Sequence, residues 1–205
     1  MIAIAEKTGL IVRLGEWSLL EGARQARRLL DQGVRTKVAI NVSRAQLLDD
    51  RFSQALHGAL VSADVEPELI ELELTESLFM DISSTVQDNL RSAREHGVSL
   101  AIDDFGTGYS SLANLKDISA AKLKLDRAFV LALPDDRRAM AIVKAMVQLG
   151  KDLGMTVVAE GVEKKEQMEA LRELGVDGIQ GFFYAEPMDE TALFSWLKES
   201  RRTIV

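Results

Sequence analysis

An α/β fold built on a parallel sheet is predicted by three features of the sequence. Short apolar runs alternate with amphipathic segments along most of its 205 residues. A glycine recurs between an amphipathic segment and the apolar run after it, at Gly33, Gly97, Gly154 and Gly175. Several of the short runs end on a polar or charged residue. Strands alternating with helices imply parallel pairing with helices packed outside the sheet. An open sheet covered on both faces should have no polar face, whereas polar strand ends suit the mouth of a barrel. No linker or low-complexity stretch interrupts the pattern, so residues 1–205 read as one domain with a sizeable core.

Each element has its own justification. Residues 14–32 read as a helix with Trp17, Leu20, Ala23 and Leu30 among its apolar positions, and Gly33 is placed to end it. Lys37–Ser43 is a short strand, residues 50–63 a second helix, and Pro67 closes the connection to a second strand, Leu69–Thr75. Ser83 or Ser84 caps a third helix that stops at Gly97, and strand three is Val98–Asp103. A glycine loop and a short helix near 110–116 lead to strand four, Ala121–Leu125. Pro134 stands near the start of a long helix ending around Gly154. Strand five is Thr156–Glu160, followed by a helix over 163–174 and a sixth strand over Gly178–Tyr184. Asp189 opens a last amphipathic helix.

The stretch Leu100–Ser111 stands out within this pattern. Its apolar run ends in two adjacent carboxylates, Asp103 and Asp104, and a loop with Gly106 and Gly108 follows. Neighbouring carboxylates repel and resist desolvation, so a positive group should offset them, and a divalent cation is the economical choice. Successive strand side chains point to opposite faces. That periodicity places Asn41, Glu73, Asp103, Lys124 and Glu160 on polar faces at or near strand ends, with Asp104 beside them. Four carboxylates, one amide and one ammonium suit a two-cation site acting on a phosphate ester. Each has a plainer reading: Asn41 capping a turn, Glu73 pairing with a lysine, Glu160 capping a helix, Lys124 bonding to Asp103. All of those would have to hold together. Phe105 and Tyr109 read as loop anchors, and the glycine loop lacks the ending of a phosphate-binding P-loop.

Composition narrows the chemistry. The formal charge of −7 argues against a nucleic-acid polymer or anionic membrane as partner. Cysteine is absent, which excludes disulfides, thiolate metal sites and thiol nucleophiles. His57 and His96 read as separate surface residues with no histidine partner at ligand spacing. A metal site at the strand ends is therefore built from oxygen, favouring magnesium or manganese over zinc. There is no apolar run of about 18 residues to span a membrane, and Met1–Leu14 lacks a basic signal-peptide start. A cytoplasmic location is the expectation.

The motifs Asn41-Val-Ser43, Glu73-Leu-Thr-Glu76, Asp103-Asp-Phe-Gly-Thr-Gly-Tyr109, Lys122-Leu-Lys-Leu-Asp126, Ala159-Glu-Gly-Val-Glu163 and Gln180-Gly-Phe resemble, in order, those of the EAL family. These are bacterial phosphodiesterases that cut cyclic di-GMP to linear pGpG, on a modified (β/α)8 barrel of TIM type. The resemblance runs from the first residues to about Pro187. It implies that Asn41, Glu73 and Asp103 hold one cation and that Asp103, Asp104 and Glu160 hold a second. It further implies that Lys124 orients the attacking water, that Glu76 tethers the loop after Asp104, and that Gln180 lines the site. The Glu-Ala-Leu motif that names the family, with its ligand glutamate, is absent. The chain thus reads as lacking the barrel's first two strands, with an incomplete two-metal site, little activity alone, and open sheet edges inviting a homodimer or exchanged oligomer. A non-catalytic cyclic di-GMP receptor or interaction module is the alternative, and an upstream sensor or cyclase domain in a parent protein is left open.

Overall fold

The computed structural model describes residues 2–80, 82–107 and 118–203. Six strands form one sheet: β1 (Val38–Asn41), β2 (Ile70–Thr75), β3 (Ser99–Phe105), β4 (Lys122–Leu125), β5 (Thr156–Ala159) and β6 (Gly178–Ile179). Every neighbouring pair is parallel and the spatial order follows the chain order without reversal. A doubly wound sheet would reverse its order at a switch point, so this is barrel-type winding, in the form of a half-barrel with β1 and β6 at its edges.

The helices lie on the outer face: α1 (Ile2–Thr8), α2 (Leu10–Asp31), α3 (Arg44–Leu47), α4 (Phe52–Ala63), α5 (Ser84–Glu95), α6 (Arg127–Val130), α7 (Arg137–Asp152), α8 (Lys165–Glu173) and α9 (Glu190–Thr203). Ile40, Ile70, Leu72, Leu74, Leu100, Ile102, Leu123, Leu125, Val157 and Ala159 share that face and are all buried there. Burial of such branched side chains contributes about 1.5–3 kcal/mol each, so this layer dominates folding. Polar groups clamp the helices at a few points. Asn89 on α5 donates to Leu47 O (2.9 Å) and Asp49 O (3.1 Å) and accepts from Ser53 Oγ (2.8 Å), joining α5 to the α3–α4 connection. Arg28 on α2 meets Glu190 on α9 at 2.7 Å.

Several boundaries differ from expectation for identifiable reasons. The first long helix starts at Leu10, not 14, after Gly9 in a left-handed turn that separates it from α1. A short helix, α3, is capped by Ser43 through a capping box with Gln46, a signal visible as Ser-x-x-Gln. The long helix begins at Arg137, because Asp136 caps it and Pro134 lies in the preceding turn. The sixth strand ends at Ile179 instead of reaching Tyr184. Beyond it Gly181 presses on Val162, and Tyr184 N–H donates back to Gly181 O at 3.1 Å, turning the chain. The expected helix near 110–116 and Tyr109 lie outside the described residues.

Candidate active site

Cross-strand register brings the polar residues of the inner face into layers. Asn41 pairs in register with Glu73 and Glu73 with Ala101, while Ala101 pairs with Lys122 on β4. Ala101, fully buried, leaves room for long side chains from β2 and β4 to meet above β3. They meet twice. Lys122 Nζ lies 2.5 Å from the buried Glu71 Oε1, and one layer nearer the strand ends sits Lys124.

Lys124 is the hub of the site. It is 4% exposed, and its Nζ lies 2.6 Å from Glu73 Oε1, 2.6 Å from Glu160 Oε1 and 2.9 Å from Asp103 Oδ1. Burial alone would lower the pKa of this ammonium. The carboxylates of Glu160, Glu73 and Asp103 outweigh that and hold it above the ordinary lysine value. The same burial raises Glu160, with Lys124 opposing the effect.

Asp104 reaches the cluster through a defect in the strand. Strict alternation would send it to the face opposite Asp103. The β3–β4 register instead shifts between Ile102 and Phe105, and Asp104 adopts a left-handed φ of 55°. This bulge turns the two neighbouring carboxylates to one place, the use to which bulges near functional sites are put. One oxygen from each of Asp103, Asp104 and Glu160 then lies within 4.8 Å of the others. Desolvation raises the pKa of Asp104, and the charges of Asp103 and Asp126 raise it further.

The loop after the bulge is held from below. Gly106 N–H donates to Glu76 Oε2 at 2.7 Å, and Glu76 is buried. Gly106 has φ 99°, and a Cβ there would sit 2.6 Å from the Phe129 ring. Phe105, expected in the loop, is instead the buried last residue of β3, in register with Leu125.

Gln180 follows β6 directly, its N–H donating to Ala159 O at 2.8 Å and its carbonyl accepting from Val162 N–H at 3.1 Å, which places it beside the strand carrying Glu160. Asn41 ends β1 at an exposed position next to Glu73. Lys124, Glu73, Asp103, Asp104 and Glu160 are brought together, while Asn41, Gln180 and Glu76 stand on neighbouring segments.

Two groups were not singled out from sequence. Asp126 caps α6, accepting from Ala128 N–H at 2.8 Å, and adds its charge to the surroundings of Asp104. Arg127 and Glu163 meet at 2.6 Å over Gly161, joining the segments that follow β4 and β5. Asp126 and Glu163 lie within the motifs quoted above and Arg127 directly follows one of them, which was the available signal; their contact depends on how the strand ends are placed.

The residues fit divalent cations. Asp103 Oδ1 is buried and has an ion-pair contact with Lys124 but no aligned hydrogen bond, so an acceptor lone pair is left over. The donors are all oxygens, as hard cations require. Fold and site together define a half-barrel of TIM type with a cluster of oxygen donors at the C-terminal ends of its strands.

The chain belongs to the EAL domain family, whose model matches residues 1–187. It is 42% identical over 198 residues to the bifunctional diguanylate cyclase/cyclic di-GMP phosphodiesterase MucR of Pseudomonas aeruginosa, covering 95% of this chain and 28% of that protein. It is 36% identical over 197 residues to the cyclic di-GMP phosphodiesterase PdeR of Escherichia coli, covering 96% of this chain and 30% of that one. The chain thus spans under a third of the length of these relatives. Among solved structures, the PaMucR phosphodiesterase in complex with cyclic di-GMP superposes with a TM-score of 0.89 at 42% identity, over 94% of this chain and 78% of that one. Klebsiella pneumoniae BlrP1, in a manganese and cyclic di-GMP complex, gives a TM-score of 0.78 at 32% identity, over 86% and 45% of the two chains. None of the described helices is long and apolar enough to cross a membrane.

Proposed function

We propose that this chain is the catalytic part of a cyclic di-GMP phosphodiesterase that opens the cyclic dinucleotide to linear pGpG. Water adds to phosphorus at one phosphodiester, the P–O bond to the ribose 3′ oxygen breaks, and that oxygen leaves as a hydroxyl. The observation that carries the reading is Lys124 buried among Glu73, Asp103 and Glu160, from four different strand ends, with Asp104 turned to join them.

Asn41, Glu73 and Asp103 would hold one magnesium or manganese ion, and Asp103, Asp104 and Glu160 a second. Bound cations of this kind lower the pKa of water and offset charge on the phosphate. Lys124, fully charged at neutral pH, orients the attacking water and stabilises negative charge developing on the phosphate oxygens. Glu76 fixes the loop that carries Asp104 through its bond to Gly106 N–H. Gln180 borders the substrate. We further infer a cytoplasmic setting.

The family resemblance implies one more glutamate ligand than the 205-residue polypeptide supplies. Loss of a primary ligand removes most metal-dependent activity, so this polypeptide alone should turn over slowly or not at all. The test is hydrolysis of cyclic di-GMP with magnesium or manganese, following pGpG by chromatography, for this polypeptide and for one extended upstream. Activity in the extended chain only, abolished by Asp103→Asn, supports the reading. Activity in the short chain would show the ligand count to be wrong. Tight binding without product in both would replace the enzyme with a receptor.

A further inference from the structure

His57 and His96, separate in sequence, face each other in the fold. Their ring centroids are 5.4 Å apart with planes inclined at 55°. His57 is on α4 and His96 forms the C-cap of α5, both exposed. Together they line a groove of about 540 Å³ with Arg27, Asp64 and Glu66. We propose that these two imidazoles form a second metal site, for a borderline, nitrogen-seeking divalent cation of the zinc, nickel or copper class.

Three observations support it. First, His96 Nδ1 lies 2.7 Å from Ser92 O. A carbonyl oxygen can only accept, so Nδ1 carries the proton and Nε2 presents a lone pair. Metal-ligating histidines commonly have this arrangement, with the second nitrogen donating to a backbone carbonyl. Secondly, with metal–nitrogen bonds of about 2.0–2.1 Å, two imidazoles on one tetrahedral ion have ring centres roughly 5 Å apart, close to the separation observed. The inclination of 55° sets the pair apart from a flat stack, whose planes would be near parallel. Thirdly, His96 ends α5, where the unpaired carbonyls and the helix dipole favour positive charge.

The other charges in the groove do not oppose a cation. Arg27 is met by Asp31 at 2.7 Å and by Asp64 at 3.2 Å, and Glu66 is paired with Arg35. These engaged carboxylates leave water to complete the coordination. The site is distinct from the acidic cluster. His96 and Glu66 precede β3 and β2, which puts the groove at the N-terminal ends of the strands, opposite the mouth. An ion there would tie α4 to α5 and stabilise the native state by mass action.

Calorimetric titration of the 205-residue chain with zinc or nickel chloride, in excess magnesium, tests the proposal. The expected result is one nitrogen-ligated equivalent, confirmed with copper by nitrogen hyperfine splitting in its electron paramagnetic resonance spectrum. His57→Gln and His96→Gln should each weaken binding at least tenfold, and the double variant should lose at least as much as either alone. Asp103→Asn should leave this equivalent in place. Both histidines are exposed, so circular dichroism of the metal-free variants should match the parent. No binding, binding unchanged in either histidine variant, or binding lost only with His96 would each overturn the two-imidazole site.

Discussion

Lys124 faces three carboxylates, more negative charge than one ammonium neutralises, and that imbalance suits the proposed cation site. Removing it would leave Glu73, Asp103 and Glu160 buried without a counter-charge. Stripping one partner from a buried ion pair costs roughly 3–5 kcal/mol. Lys124→Met should lower the unfolding free energy of the metal-free chain, measured in urea, by that order, and millimolar magnesium or manganese should restore part of the loss. Unchanged stability without metal would show the three carboxylates to be solvated instead of paired.

Asp104 gives a residue-scale prediction with a definite sign. Its folded pKa is raised above the ordinary 3.8 by desolvation first, then by Asp103 and Asp126. A carboxyl raised on folding binds its proton more tightly in the native state. Its contribution to stability therefore falls as pH rises from about 4 through the raised value, and the penalty is in full force at neutral pH. Asparagine keeps the shape and tolerates the left-handed φ of 55° at this position. Asp104→Asn should thus melt higher than the parent at pH 7 without metal, the difference shrinking to nothing below about pH 4. A difference that grew on acidification would reverse the assignment.

At the scale of elements, the site depends on places where backbones approach closely. Gly181 follows Gln180, and a Cβ there would lie 2.2 Å from Val162 O and 2.4 Å from Val162 N. Those are main-chain atoms two residues beyond Glu160, so relief requires the β5–β6 connection to move. Forcing extra volume into packed structure costs about 1–3 kcal/mol. Gly181→Ala should sit at the upper end of that range in denaturant melts and should reduce turnover of the extended chain by displacing Glu160. Gly161→Ala should also destabilise, because Gly161 has a left-handed φ of 67° and its Cβ would lie 2.2 Å from Arg127 Cγ and 2.6 Å from Arg127 Cβ.

For the whole molecule, the sheet edges matter most. Strands β1 and β6 each have one paired neighbour among the described residues. Unpaired strand edges invite pairing with another chain. Trp17, 60% exposed on α2, and the exposed Phe182 and Tyr184 add apolar surface. The 205-residue polypeptide should therefore self-associate, read as a mass above 22.6 kDa by light scattering. A monomer at high concentration with a single cooperative melt would refute this.

The α/β class, the chain order of the strands, the outward apolar face and the polar residues near strand ends were all legible in the linear pattern. These depend on short-range rules: period-two alternation, helix stops at residues such as Gly33 and Gly97, and capping by Ser83 and Asp189. The family motifs carried the barrel reading, which the sequential parallel sheet bears out.

How those residues meet follows from packing between elements. Alternation separates Asp103 from Asp104; only the bulge against β4 reunites them. Nothing local says that Lys124 reaches Glu73, Asp103 and Glu160 together, because that depends on register across β2–β5 and on the small Ala101 between them. The histidines read as unrelated because spacing within one helix is the only pairing a linear pattern reveals, and these lie on two. Periodicity belongs to a single element, whereas convergence depends on packing between elements, which is settled only when the whole core forms.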